Sequence, residues 1–218
     1  VLSMVMRKVY GRMFLALVVT ALTSLYVASS PAILSVVLGN RAVFFGLMIA
    51  ELAVVFVVSG MLNKLSTTTA TLLFYLYAVL NGVVFSSIFV VYDLGSIAST
   101  FFITAGVFGA MSVYGMVTKN DMTKFGSYCI MGLFGLIIAS IVNIFVASST
   151  LDWIISLFGV ALFIGLTAWD TQKIKNVAYV TDPSQTGKLA TIGALSLYLD
   201  FINLFLYLLR IFGGRSND

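Results

Sequence analysis

Seven long apolar runs dominate this chain and decide what it can fold into. A helix needs about 20 mostly apolar residues to cross the hydrocarbon core of a bilayer. Strands of a membrane barrel are about 10 residues long and alternate polar with apolar side chains, whereas these runs are longer and apolar on all sides. The sequence therefore predicts an all-α membrane protein, one domain over residues 1–218, with seven transmembrane helices at roughly 13–36, 42–62, 70–92, 96–117, 126–148, 152–169 and 189–212.

Composition excludes several classes of function. Hydrophobic residues make up 61% of the 218 residues and charged residues only 9%, and the chain has no histidine. Histidine is the usual general base near neutral pH and the commonest metal ligand, so serine-histidine catalysis and histidine-metal chemistry are excluded. No polar stretch is long enough for a soluble domain. We expect a protein that is not an enzyme, needs no cofactor, binds no nucleic acid and has the lipid bilayer as its surroundings.

The distribution of basic residues predicts the orientation in the membrane. Cytoplasmic loops of membrane proteins carry an excess of lysine and arginine. An inner N-terminus places nine bases inside and only Arg41, Arg210 and Arg215 outside. We therefore predict a cytoplasmic N-terminus and an outer C-terminus. The nine inner bases are Arg7, Lys8, Arg12, Lys64, Lys119, Lys124, Lys173, Lys175 and Lys188.

Three acids fall inside the apolar runs, where an ionisable side chain is costly and usually functional. Glu51 lies in the second run, Asp170 closes the sixth, and Asp200 lies near the centre of the seventh. Two buried carboxyl groups within reach of one another share a proton and titrate as a coupled pair. When ionised they also offer the hard oxygen ligands that calcium prefers. The three acids are candidates for pH sensing and for an ion pathway, with Asp170 and Asp200 as a candidate calcium site.

Other polar residues accompany Asp200 along one face of its helix. Ser196, Asn203 and Tyr207 stand at i−4, i+3 and i+7 from it, spacings that share a helix face. We interpret them as supporting polar groups. A structural alternative remains for each acid: Asp200 as interhelical hydrogen-bond glue, Asp170 as an interfacial acid, and Glu51 as a satisfied group within the bundle.

Counting along the helices places the two aspartates at different depths. Asp170 lies about 27 Å from the outer end of a helix that begins near residue 152, while Asp200 lies about 18 Å from an outer end near residue 212, at 1.5 Å per residue. On this reckoning the two carboxyl groups miss each other by about 9 Å, a gap that helix tilt, a deeper helix end or a water-filled inner vestibule could close.

The stretch from Ala194 to Phe205, ALSLYLDFINLF, followed by Leu208, Leu209 and Arg210, resembles the signature of the Bax inhibitor family of membrane proteins. Asp170 with the following Thr-Gln-Lys-Ile is similar to that family's sixth-segment element. The resemblance implies six helices around a central seventh, with Asp170 and Asp200 as a hydrogen-bonded pair that senses pH. It also implies a pH-sensitive calcium leak in a bacterial inner membrane, with calcium ions and protons as partners.

The sequence departs from the gated bacterial relatives at one position. The resemblance implies a basic residue about three turns after Glu51 that acts as a latch on the aspartate pair. The corresponding position here is Leu62. Lys64 follows Glu51 by 13 residues, which rotates it by about 220° around a helix. We expect a closed state that lacks this basic partner.

Other functions compete with the calcium leak. A cation/proton exchanger could use the same acids, and the family's link to suppression of cell death suggests a regulatory protein that transports nothing. Intramembrane aspartyl proteases carry Gly-x-Gly-Asp before one aspartate, and neither Asp170 nor Asp200 follows such a sequence. A microbial retinal protein needs a lysine in the seventh helix, and none lies between Leu189 and Leu209.

Overall fold

The computed structural model describes residues 2–61 and 64–214, so the latch position Leu62 lies outside the described residues. These described residues form nine α-helices and include a 3-10 turn at Pro183–Gln185, with no strand. The helices are α1 Leu2–Ser29, α2 Pro31–Gly39, α3 Arg41–Gly60, α4 Thr67–Phe85, α5 Ile88–Val91, α6 Leu94–Val117, α7 Thr123–Val146, α8 Ser149–Val180 and α9 Thr186–Phe212.

The all-helical class and the seven transmembrane helices are confirmed. Within the described part of the chain, seven helical segments are long and apolar enough to cross a membrane. The third of them combines α4 and α5 over Thr67–Val91, and α2 is too short to count. The seventh segment is the most buried, with 67% of its apolar window inside the protein.

The predicted bounds of the first and sixth helices are wrong. The first helix ends at Ser29, because Pro31 lacks a backbone N–H and opens a separate helix at its first turn. The sixth helix does not close at Asp170 but continues to Val180. Its last ten residues include lysines and were therefore missed by hydropathy, although lysine is a good helix former.

The offset of about 9 Å counted from the helix ends does not keep Asp170 and Asp200 apart. Helix α8 has 32 residues, which span about 48 Å and exceed a hydrocarbon core of about 30 Å. The end of such a helix does not mark the membrane surface, so residue counts from helix ends do not give depths on a common scale. The carboxyl groups of Asp170 and Asp200 lie within hydrogen-bonding reach of each other.

The described helices group into two compact units, and the single domain over 1–218 stays a prediction. The first unit contains α1 to α5, the end of α8 and the first half of α9 up to Tyr198. The second contains Leu94–Val177 and Leu199–Gly214, that is α6, α7, most of α8 and the second half of α9.

A buried polar network ties together the helices of the first unit. The Thr20 hydroxyl donates to the carbonyl oxygen of Ala78 and lies 2.6 Å from the Tyr198 hydroxyl. The Asn81 amide donates to that same Tyr198 hydroxyl at 3.2 Å. Helices α1 and α4 approach closely because Gly82 of α4 has no Cβ atom, which would otherwise overlap α1. In a bilayer, where hydrophobic driving force between helices is weak, small residues and such hydrogen bonds hold helices together.

The second unit is built around α8 and the second half of α9. Its buried cluster contains side chains from α7, α8 and α9, and glycines on α6, α7 and α8 let neighbouring helices approach closely. The cluster comprises Cys129, Leu136, Ile155, Leu162, Phe163, Leu166, Leu204 and Leu208. This unit carries both Asp170 and Asp200.

The orientation can be tested with single cysteines in a background where Cys129 is replaced by alanine. Ser184 is exposed between α8 and α9, and Thr150 is exposed in the first turn of α8. We expect Ser184→Cys to react with a membrane-impermeant thiol reagent only after cells are opened, because the basic residues place that end inside. Thr150→Cys should react in intact cells. The reverse labelling pattern would contradict the inner N-terminus.

Candidate functional site

The second half of α8 presents the first acid of the site. Asp170 is only 7% exposed. Two threonines on the same helix bond to backbone carbonyls one turn earlier, Thr167 to Phe163 and Thr171 to Thr167, each at 2.7 Å. Such back-bonding satisfies hydroxyl groups within the helix. Both threonine hydroxyl groups are therefore hydrogen-bonded within α8. Asp170 provides the ionisable carboxyl group between them.

Asp200 on α9 meets Asp170 inside the second unit. Asp200 is 4% exposed, and its carboxyl group is in hydrogen-bonding contact with that of Asp170. The Oδ2 atom of Asp200 is buried without a hydrogen-bond partner among residues 2–61 and 64–214. A buried oxygen with no partner is costly, and a hydrogen bond between two carboxyl groups needs one proton on the pair. The pair thus has one carboxyl oxygen without a hydrogen-bond partner in the described parts of the chain.

Aromatic rings surround the residue next to Asp200. Phe201 makes edge-to-face contacts with Phe101 and Phe108 of α6, both with ring centroids 5.4 Å apart. Phe205, one turn later, contacts Phe101 at 6.2 Å. These rings form an apolar cluster next to Asp200 along α9. Electrostatic interactions are stronger in such surroundings of low dielectric constant.

A lysine of the same helix, Lys173, forms an ion pair with Asp170. The Nζ atom of Lys173 is 3.6 Å from Oδ1 of Asp170 and 4.5 Å from the ring centroid of Trp169. The indole ring packs against Gly126 of α7, where a Cβ atom would overlap the ring. Lys173 and the Cys129 thiol also act electrostatically on Asp200. Within the described ranges, the ionisable groups that act on Asp200 besides Asp170 are therefore one cation, Lys173, and one thiol, Cys129.

Two further side chains of α8 fix the connection between α6 and α7. Gln172 donates to the carbonyl oxygen of Asn120 at 2.7 Å and accepts from the backbone N–H of Met122 at 2.9 Å. Lys175 donates to the carbonyl oxygen of Met116 at 2.9 Å, which is the favourable place for a cation at the C-terminal end of α6. Both side chains are occupied by backbone groups.

The predicted polar stripe does not converge on Asp200. Asn203 donates its amide to the Leu199 carbonyl of its own helix at 2.8 Å. Tyr207 stacks on Phe163 with ring centroids 6.0 Å apart. Ser196 belongs to the first unit. Residues on one face of a helix share a direction but not a partner, so the stripe gives no common site.

Glu51 lies on α3 in the first unit, where its Oε1 atom is buried without a hydrogen-bond partner in the described parts of the chain. It acts electrostatically on Tyr77 and Tyr198 of the same unit. Glu51 is thus a second acid with a buried oxygen that has no hydrogen-bond partner among the described residues. It belongs to the unit that also contains Tyr77 and Tyr198.

Two acids outside the spans differ from the pair in their surroundings. The hydroxyl and backbone N–H of Thr123 lower the pKa of Asp121, and the backbone N–H and hydroxyl of Ser184 lower the pKa of Asp182. Both acids are fully exposed and remain ionised at neutral pH. Neither changes its charge over the pH range in which a membrane protein is ordinarily assayed.

The acid pair by itself offers few ligands to a metal ion. Among the described residues, no three His, Cys, Asp or Glu side chains come together to bind a metal. Calcium in proteins takes six to eight oxygen ligands. Two carboxylates supply only part of such a set.

Several residues that shape the site were not among the predicted site residues, although their positions in the sequence place some of them near Asp170. Trp169, Gln172 and Lys173 surround Asp170 within one turn, so their presence near it was readable. That Trp169 seats against Gly126, and that Gln172 reaches a loop 50 positions away, depends on how α7 and α8 pack and has no local signal.

Comparison with known proteins identifies the family. The family described as "Inhibitor of apoptosis-promoting Bax1" matches residues 2–217 of this chain. The chain belongs to the Bax inhibitor family. This member is 50% identical over 213 residues to the "Inner membrane protein YbhL" of Escherichia coli, covering 96% of this chain and 91% of that protein. It is 47% identical over 213 residues to a protein of Borreliella burgdorferi, covering 97% and 92%, and 38% identical over 217 residues to one of Caulobacter vibrioides, covering 95% and 87%.

Proposed function

We propose that this Bax inhibitor family member is a pH-sensitive calcium leak, gated by protonation of the Asp170–Asp200 pair. The observation that supports it most is the contact between two buried carboxyl groups, one of which has an oxygen with no partner among the described residues. We place the protein in a bacterial inner membrane, since the relative YbhL is named an inner membrane protein.

The pair has three protonation states, and each favours a different arrangement. With one shared proton the two carboxyl groups hold each other by a hydrogen bond and bring one negative charge, instead of two, into the apolar surroundings. With no proton, two like charges repel in a low dielectric and attract a divalent cation. With two protons the cation has no anionic ligand. The pair can therefore couple pH to the passage of calcium.

Glu51 is a proposed second stop on the ion pathway. Its Oε1 atom is buried without a described partner, like Oδ2 of Asp200. A buried carboxylate oxygen that has no protein donor gains most from a cation.

The experiment uses the purified protein in liposomes with an entrapped calcium dye. Protons and calcium compete for the same carboxylates, so we expect the calcium concentration for half-maximal flux to rise as the pH falls from 8 to 5. The maximal rate reports gating, while the half-saturating concentration reports competition. Empty liposomes and liposomes with an unrelated helical membrane protein serve as controls.

Two results would contradict the proposal. Calcium flux equal to that of empty liposomes at every pH would remove the channel itself. A half-saturating concentration independent of pH would remove the competition at the carboxylates. Stoichiometric counter-movement of protons, followed with a dye that reports internal pH, would instead identify a cation/proton exchanger.

A further inference from the structure

We propose that Lys173 is a tethered cation that competes with calcium for the Asp170–Asp200 pair. The proposal rests on the function proposed above and names what regulates the same site. It also assigns to the helix of Asp170 itself a basic partner for the pair, which the resemblance placed after Glu51 in other bacterial members.

The geometry around Asp170 supports a direct competition. The Lys173 ammonium is 3.6 Å from Oδ1 of Asp170, inside the distance at which a cation and a carboxylate form an ion pair. A calcium ion bound to that carboxylate would lie 2.3–2.6 Å from its oxygen. Two cations cannot both neutralise the same oxygen at these distances without strong mutual repulsion, so one must leave before the other binds.

The surroundings of Lys173 allow it to leave at low cost. Its side chain is 51% exposed, whereas that of Asp170 is 10% exposed. The ammonium can therefore exchange its carboxylate for water while the acid stays buried. An ion pair whose cation is half-exposed is weak, so a divalent ion can displace the lysine.

Trp169 provides a seat that keeps the ammonium near the pair. The Nζ atom lies 4.5 Å from the indole ring centroid, a cation–π arrangement that attracts a cation without binding it tightly. The ring packs directly against Gly126, because this residue has no Cβ atom that would clash with it. The lysine is thus returned to the same position after each displacement.

The other groups around the pair do not duplicate this role. Lys175, two positions later, is committed to the carbonyl oxygen of Met116. From α7 the ionisable neighbour is the Cys129 thiol, and from α9 it is Asp200 itself. The contact from α6 near this turn is neutral, between the hydroxyl groups of Ser112 and Thr171. Of the cations placed here by α8, Lys173 is the one in contact with the acid.

The first test measures calcium flux in liposomes for Lys173→Gln and Lys173→Arg. Removing the tethered cation is expected to lower the half-saturating calcium concentration by about two- to fivefold, the range of a half-exposed ion pair. The maximal rate should change less than the half-saturating concentration. Lys173→Arg keeps the charge and should restore the wild-type value. Lys119→Gln removes a lysine that is exposed in the α6–α7 connection, and it controls for the general loss of surface charge.

The second test detects binding without transport. Terbium ions substitute for calcium and become luminescent when a nearby indole absorbs light, and Trp169 adjoins Asp170. The chain has two tryptophans, so Trp153→Phe leaves Trp169 as the only indole that can be excited selectively, at wavelengths longer than those that tyrosine absorbs. In that background we expect terbium luminescence that calcium competes away. Lys173→Gln should shift the binding curve to about two- to fivefold lower terbium, while Asp200→Asn should weaken the signal strongly.

The outcomes separate this inference from the proposed function. Equal calcium half-saturation and equal terbium binding for Lys173→Gln and the wild type would overturn the role of Lys173, even if flux through the pair is intact. Absence of wild-type calcium flux would overturn the leak, and the terbium curves would still decide whether Lys173 competes for the carboxylates. An equal gain of affinity in Lys119→Gln would reduce the effect to surface charge and also overturn the proposal.

Discussion

Asp200→Asn is expected to abolish the pH dependence of calcium flux in liposomes. Asparagine has nearly the shape of aspartate but cannot ionise, so the shared proton and the coupled titration disappear together. The pair also loses one of its two anionic calcium ligands. A charge-assisted interaction is worth about 1.5–3 kcal/mol, so we expect the half-saturating calcium concentration to rise at least about tenfold.

The controls for Asp200→Asn are two acids outside the membrane spans. Asp121 and Asp182 are fully exposed, and hydrogen bonds from Thr123 and Ser184 lower the pKa of each below its ordinary value. Both stay charged between pH 5 and 8, so neither can cause a pH dependence there. Asp182→Asn and Asp121→Asn keep an acceptor for the capping N–H and should behave as the wild type. Undiminished pH dependence in Asp200→Asn would rule out the pair as the sensor.

Asp170→Asn should remove the same pH dependence, because a coupled pair needs both members. Its second effect should differ from that of Asp200→Asn, since Asp170 also bears the contact to Lys173. Without the carboxylate, the ammonium loses its partner, and Lys173→Gln should have no further effect on the half-saturating calcium concentration in this background. If Asp200 alone controlled the response, Asp170 would be an interfacial acid.

The number and type of helices could be predicted because a bilayer imposes a length and a composition on each span. The bounds could not, for two physical reasons. Pro31 ends the first span inside a run that hydropathy treats as continuous. At the other extreme, α8 continues past Asp170 through Gln172, Lys173 and Lys175, where side chains bonded to a neighbouring loop or paired with an acid stabilise a polar helical turn that hydropathy treats as a loop.

The two aspartates could be identified from sequence because acids inside apolar runs are rare and costly. The family resemblance implies their contact, but the residues alone do not, since the contact depends on how α8 and α9 pack and not on distances along either helix. The polar stripe shows the same limit from the other side. Asn203 and Tyr207 share a face with Asp200, yet each is directed to a different partner, Leu199 and Phe163.

Gly115→Ala is expected to destabilise the second unit and to displace Asp170. Gly115 is buried on α6 against α8, and a Cβ atom there would overlap the carbonyl oxygen of Ala168 and lie 3.0 Å from the Cβ of Thr171. The nearest obstacle is backbone, which cannot rotate away as a side chain can. Helices α6 and α8 must therefore separate, at the cost of about 1–3 kcal/mol that overpacking usually carries.

The matched control for this change lies on the same helix. Gly109 has nothing within 4 Å of the position its Cβ would occupy, so Gly109→Ala gains the better helix propensity of alanine, about 1 kcal/mol in a helix interior, without a clash. The two substitutions should thus shift the midpoint of thermal unfolding in detergent in opposite directions. Because Ala168 precedes Asp170 by two residues, Gly115→Ala should also weaken the pH response of calcium flux, while Gly109→Ala leaves it intact. Equal stability and equal pH response of the two variants would mean that the close contact of α6 with α8 does not position the acid pair.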